Sequence, residues 1–351
     1  MSKFRILSID GGGLRGVVPL TILKTIEQLT GKPIWKSFDL IAGTSTGGLI
    51  ATALTIPKNP ENKEAGEKYL LDNILQVYLE RGKEIFPPRE ALVGEVFEIT
   101  DDLFHPKFNE AGIEKVVGDV CGSSRMNDCL THLMITSYDL SNNVPLFFKT
   151  RSSLSNPEQN ILMYDVCRAT SAGPTYLPAY ELNYPNGNEN AKRLCVDGGI
   201  FINNPSMGAY SEFLKNHKEY LLPGESLAST EVFVLSIGTG TYSGQITSRQ
   251  AKSKGEIFWA SRISDVMMRG VNKTTHYEMN EIMEAGNYVR LTIDIHEEKY
   301  AEMSRADKEA SEYLIQQTQK QVLNNSEKMK ELSVFLTKAG LVQESGISLN
   351  A

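Results

Sequence analysis

The sequence predicts an α/β fold with a mostly parallel central sheet and crossover helices. Three observations carry this. A strand, a glycine-framed turn and a helix follow one another twice within the first 55 residues. Further strand-length apolar runs then alternate with helical stripes. No repeat and no low-complexity linker divides the 351 residues, so one α/β domain over 1–351 with a helical C-terminal part is the simplest organisation.

The elements follow in order. Residues 4–9 read as a short buried strand entering the glycines of "DGGGLRG". After this loop, Val17, Val18, Leu20, Ile22, Leu23, Ile26 and Leu29 form a broad helical stripe, with Pro19 suited to the first turn and Gly31 as terminator. The segment "FDLIAGTSTGGLIATALT" predicts a strand at 38–42, a sharp turn and a helix of small apolar residues. Residues 57–66 are polar and turn-rich, and a helix is expected over 67–82. Later strands are expected at 132–140, 145–150, 193–198, 232–240 and 288–294. Helices are expected at 162–171, 205–217, 256–284, 305–320 and 325–338.

Composition narrows the function classes. With 41% hydrophobic and 23% charged residues the chain has ample material for a core. A net charge of -7 argues against a general nucleic-acid binder, which needs a basic excess to neutralise phosphates. Cys121, Cys129, Cys167 and Cys195 are scattered without a C-x-x-C pair and read as reduced thiols of a cytoplasmic protein. No metal or other cofactor is implied. The N-terminus lacks the apolar core and cleavage site of a secretory signal, and no apolar stretch is long enough to span a bilayer. Contact with lipid would be peripheral.

The chemistry centres on "GTSTG" at 43–47, which fits G-x-S-x-G. A serine on a strand-to-helix turn projects its hydroxyl outward, and flanking glycines relieve crowding around a strained backbone. Ser45 is therefore the candidate nucleophile, placed where the helix dipole favours developing negative charge. The bland alternative is a glycine turn that only caps a helix. Gly11-Gly12-Gly13-Leu14-Arg15-Gly16 fits G-x-G-x-x-G, and its backbone N–H groups can converge on one anion. A dinucleotide site would also need an acidic residue ending the second strand, whereas Asp39 begins it. Two anion-binding turns side by side suit acyl transfer better.

A nucleophilic serine needs a base. None of His105, His132, His217, His276 and His296 sits at a strand end or in a glycine turn, so each reads as surface or packing. Asp197, by contrast, ends a strand and precedes two glycines in "CVDGGIFINNP". A carboxylate in a dry site gains basicity and can accept a serine proton directly.

"DGGGLRG", "GTSTGG" and "DGGIFINNP", in this order, resemble the three signature segments of the patatin-like phospholipases. "ATSAGPTYLPAY" (169–180) and "VLSIGTG" (234–240) resemble two further segments, so the likeness covers about 4–240 and fades beyond 250. These segments follow the family pattern throughout, the last glycine of "DGG" being an accepted variant. The resemblance implies a three-layer α/β/α fold and a Ser–Asp dyad, with Ser45 as nucleophile and Asp197 as general base. It implies an oxyanion hole from backbone N–H groups of Gly11, Gly12, Gly13 and Leu14. The substrates it implies are acyl esters of membrane lipids, bound at a membrane surface. Some bacterial relatives are membrane-degrading effectors gated by a second messenger, and a nucleotide-binding enzyme using Gly11–Gly16 is the other alternative. Arg15 has two readings, an anchor of its own loop or a contact to a lipid phosphate. The stripe Phe258, Trp259, Ile263, Val266, Met267 and Gly270 reads as core packing before membrane contact, and residues 84–97 as an apolar flap.

Overall fold

Strand β1 (Ser2–Ile9) shows why the sheet is buried on both faces. Phe4 and Ile6 point into one apolar cluster, Leu7 and Ile9 into another. That period of two, with both sides apolar, is the pattern of a central parallel strand. A computed structural model describes residues 1–87, 106–184, 192–253, 255 and 263–343. Its main sheet contains β1, β2 (Leu40–Thr44), β3 (His132–Asp139), β4 (Val144–Lys149), β5 (Tyr180–Leu182), β6 (Arg193–Asp197), β7 (Thr230–Ile237) and β8 (Tyr288–Leu291). The order is β5-β6-β3-β2-β1-β7-β8, with β4 beside β3. The run β3-β2-β1-β7-β8 is parallel, while β4 and β6 pair antiparallel with β3.

The longer helices among the described residues are α1 (Val17–Thr30), α2 (Thr46–Thr55), α3 (Leu71–Ile85), α4 (Ala111–Cys121), α5 (Met163–Ser171), α6 (Ser206–Tyr220), α7 (Ile263–Ile282), α8 (Lys308–Thr318) and α9 (Ser326–Lys338). Helices α6 and α7 supply Ala209, Phe213 and Met279 to the cluster on one face. Helices α1 to α5, α8 and α9 cover the other. The result is the expected α/β/α layering.

Several boundaries differ from expectation. The second strand runs through Thr44 to Ser45 instead of stopping at 42. The helix expected at 67–82 is α3, displaced because residues 57 and 67 pair as an isolated bridge. Short β5 was not anticipated, being three residues in a proline- and tyrosine-rich stretch. The proposed flap at 84–97 lies outside the described residues from 88 onward, as do His105, Phe258 and Trp259. Of the stripe expected to pack inward, Ile263, Val266 and Met267 are 45%, 37% and 51% exposed.

One buried ion pair crosses the sheet. Asp10, immediately after β1, receives both Arg290 Nη1 and Nη2 at 3.2 and 2.5 Å from β8, two strands away. Arg290 also donates to Ser236 Oγ at 2.6 Å. Burial opposes the Arg290 charge, but Asp10 outweighs it and raises the guanidinium above its ordinary range. Replacing one partner leaves the other charge stranded. Arg290→Leu is expected to destabilise the fold by about 3–5 kcal/mol, read as a lowered midpoint of urea unfolding. A change within the noise of that measurement would mean that Asp10 finds another cation.

Candidate active site

Two strand ends meet on one edge of β3. Thr136 pairs with Thr44 of β2 and Phe147 of β4; the next residue, Ser137, pairs with Asp197 of β6 and Leu146 of β4. Since β4 occupies the other edge throughout, β6 takes over from β2 head-on. Ser45 follows Thr44 directly, so Ser45 and Asp197 arrive at neighbouring positions from opposite directions.

Ser45 is held at φ 53, ψ -123, a sparsely populated conformation for a residue with a side chain. It persists because α2 presses on β1 at Gly47, where an added Cβ would lie 2.2 Å from the Ile9 carbonyl oxygen. The Ser45 N–H donates to Thr170 Oγ1 at 2.8 Å, and Thr170 donates to the Thr136 carbonyl at 2.6 Å. The Ser45 side chain acts on the Asp197 carboxylate and favours its charged form. Asp197 Oδ1 also accepts the Gly199 N–H at 2.7 Å. Burial pushes the Asp197 carboxyl up to about 6, against the lowering by Ser45 and Gly199. This is a carboxylate made more basic by dryness, still ionised near neutrality.

The glycine loop lies against this pair: a Cβ on Gly11 would come within 3.2 Å of Ser45 Cβ. Its four expected amides are not equivalent. Gly11 N–H donates to the Asn203 carbonyl at 3.1 Å and Leu14 N–H to the Met303 carbonyl at 2.8 Å. Both are thereby used inside the protein. Gly12 and Gly13 have no such backbone partner among the described residues and border the cavity that holds Ser45 and Asp197. Gly13 stands at φ 58, in the left-handed region that favours glycine. Arg15 is buried and donates to the carbonyls of Gly12 and Ala301, each at 3.3 Å. It anchors the loop, which is the first of its two readings.

Two cavities meet at Ser45. The outer one, about 250 Å³, carries Asp197, Asn203, Thr175 and Tyr176 along with Met267 and Met303. The inner one, about 100 Å³, runs between α2, α3, α4 and α5 and is lined mainly by aliphatic side chains. No described histidine borders either. His132 faces Thr150 Oγ1 and packs edge-on to Tyr220, His217 faces the Leu214 carbonyl, His276 faces the Tyr288 hydroxyl and His296 faces Ser243 Oγ. Among the described residues no His, Cys, Asp or Glu cluster is arranged to hold a metal.

Sequence reading missed the supports of the site. Thr170 was visible only as part of "ATSAGP". Thr239 Oγ1, which donates to the Gly11 carbonyl at 2.7 Å, lies in "IGTG". Met303 and Arg290 carry no motif at all, since they act through a backbone carbonyl and a cross-sheet pair.

The arrangement has the strand–turn–helix geometry of a nucleophile elbow, with Ser45 at its apex, on a mostly parallel sheet. Comparison with known proteins then specifies its kind. The profile described as patatin-like phospholipase matches residues 7–210, more than half of the chain. The chain belongs to the patatin-like phospholipase family. It is 34% identical to patatin-like protein 1 of Oryza sativa subsp. indica over 272 residues, covering 73% of this chain and 64% of that one. It is 29% identical to patatin-like protein 2 of Arabidopsis thaliana over 82% of this chain and 75% of that one. A third relative, "Probable inactive patatin-3-Kuras 1" of Solanum tuberosum, is 30% identical over 82% of this chain and 77% of its own. Among solved structures, VipD from Legionella pneumophila aligns over 91% of this chain and 67% of that one, at TM-score 0.34 and 14% identity, too remote to bear on the site.

The raised carboxyl has a kinetic signature if Asp197 is the base. Only its ionised form accepts a proton, so kcat/KM on a soluble ester is expected to fall as pH drops through about 6 and to level off above it. A profile that stays flat from about pH 5 to pH 8 would remove Asp197 as the titrating base.

Proposed function

We propose that the protein is a serine lipid acyl hydrolase that cleaves carboxylic esters of membrane phospholipids through a Ser45–Asp197 dyad. The observation that carries this is Ser45 lining one cavity with a buried carboxylate whose pKa is raised, and an apolar cavity opening beside it. Asp197 takes the hydroxyl proton as Ser45 Oγ bonds to the ester carbonyl carbon. The carbonyl oxygen becomes an oxyanion held by the free Gly12 and Gly13 amides, a stabilisation that typically contributes 10²–10³ in rate per donor. The C–O bond to the alcohol breaks, and the alcohol leaves with the proton held by Asp197. Water then gives a proton to Asp197 and attacks the acyl-enzyme. Collapse of the second intermediate returns that proton to Ser45 Oγ and frees the fatty acid.

Among the described residues no helix is long and apolar enough to cross a membrane. On this reading, access to lipid is from the surface, and the exposed Ile263 and Met267 stand at the outer cavity's rim. Arg15 is not assigned to the headgroup, because its Nε and Nη1 donate to the Gly12 and Ala301 carbonyls.

Ser45→Ala and Asp197→Asn should each lower hydrolysis of a short nitrophenyl ester by about 10³-fold or more, with unchanged thermal unfolding profiles. Alanine at His132, His217, His276 or His296 should leave the rate within a few-fold. A histidine variant as inactive as Ser45→Ala, beside an active Asp197→Asn, would refute the dyad. Lipid profiles of membranes incubated with wild type against Ser45→Ala would report headgroup and acyl position.

A further inference from the structure

The two cavities at Ser45 differ in chemistry. The inner one has polar groups, but each is tied to the protein. Tyr78 Oη bonds Thr46 Oγ1 and donates to the Thr46 carbonyl at 3.2 Å. Tyr69 Oη donates to the carbonyls of Asp119 and Val120, at 3.2 Å each. Cys121 Sγ lies 3.8 Å from Cys167 Sγ, and Ser171 Oγ donates to the Arg168 carbonyl at 3.4 Å. A polar guest would find few partners there, and an alkyl chain loses nothing. The outer cavity is also largely apolar, but it adds Asn203, Thr175 and Tyr176, to which the alcohol half of an ester can bond. Gly13, Ser45, Phe86, Ser171 and Leu177 line both, so they form the neck where the carbonyl would sit.

The inner cavity also has a direction. Helix α2 begins at the nucleophile, and Leu49 and Ala53, at four-residue intervals from Ser45, both line the cavity. At 1.5 Å per residue they stand about 6 and about 12 Å along the axis. Helix α3 runs beside them from Phe86 at the neck back toward Tyr69, and α4 runs antiparallel to α3. Gly112 at its start abuts Glu84, and Val120 at its end meets the Tyr69 hydroxyl.

We infer that this inner cavity is the acyl-chain subsite and that Leu49 and Ala53, on the nucleophile's own helix, set acyl-chain preference, while the alcohol half occupies the outer cavity. The inference rests on the hydrolase reading above. A saturated chain advances about 1.25 Å per carbon when bonds of 1.52 Å zigzag, so Leu49 stands near carbon five and Ala53 near carbon ten.

The test is the chain-length profile of kcat/KM on nitrophenyl esters. In wild type each added CH2 that enters the cavity should raise kcat/KM by about fourfold up to the octanoate. Leu49→Trp should cut the octanoate-to-butanoate ratio by about tenfold or more, and Ala53→Phe should do so only for dodecanoate against octanoate. Ratios equal to wild type in both variants, or a uniform loss at every length in folded protein, would overturn the inference. A second measurement separates it from the hydrolase reading. Dodecanoate binding to Ser45→Ala, followed by calorimetry, should weaken about tenfold when Ala53→Phe is added. If wild type hydrolyses no ester yet this weakening is seen, the hydrolase reading fails and the subsite stands. If esters are hydrolysed and the added substitution leaves binding unchanged, the subsite fails alone.

Discussion

The site depends on the register of a single strand. Thr136 and Ser137 of β3 are consecutive, and they fix where β2 stops and where β6 arrives. A slip of one residue would turn each side chain to the opposite face of the sheet and part the serine from the carboxylate. The register is tied by side chains as well as by the ladder. Thr44 Oγ1 and Thr136 Oγ1 lie 2.8 Å apart, and Ser137 Oγ donates to the Val196 carbonyl at 2.8 Å. Hydroxyls inside an otherwise apolar sheet are costly unless paired. Here their pairing is what aligns the two strand ends.

The glycine loop is held largely by the part of the chain that lies beyond the family match. The Ala301 and Met303 carbonyls bind Arg15 and Leu14, and Arg290 binds Asp10. The matched stretch ends at residue 210. Leu14 and Gly11 spend their N–H groups on these and neighbouring carbonyls, which fixes the loop and leaves Gly12 and Gly13 facing the cavity. The amides that are consumed position the amides that remain.

Much of this was legible in the residues. Alternating apolar runs disclosed the sheet, and the glycines around Ser45 disclosed the elbow, because both follow from local sterics. Asp197 stood out because an acidic residue at a strand end before glycines has no packing role to explain it. What stayed hidden is non-local. No spacing rule announces that Arg290 reaches Asp10 across 280 residues, or that the Met303 carbonyl meets Leu14. The glycine loop was legible as a group of four amides, but which two are free depends on partners distant in sequence. The apolar stripe at 263–270 was read as core because periodicity alone does not say which face looks outward.

The fork at Ser45 bears on the order in which products leave. On the proposed reading, the alcohol half departs from the wider outer cavity while the acyl group is still covalently attached. The fatty acid released afterwards lies in the narrow side, behind the neck formed by Phe86, Ser171 and Leu177. Until it leaves, another ester cannot load its own chain there. Turnover then slows as free fatty acid accumulates, and an enzyme that attacks lipid is restrained by its own product in proportion to how well the chain fits.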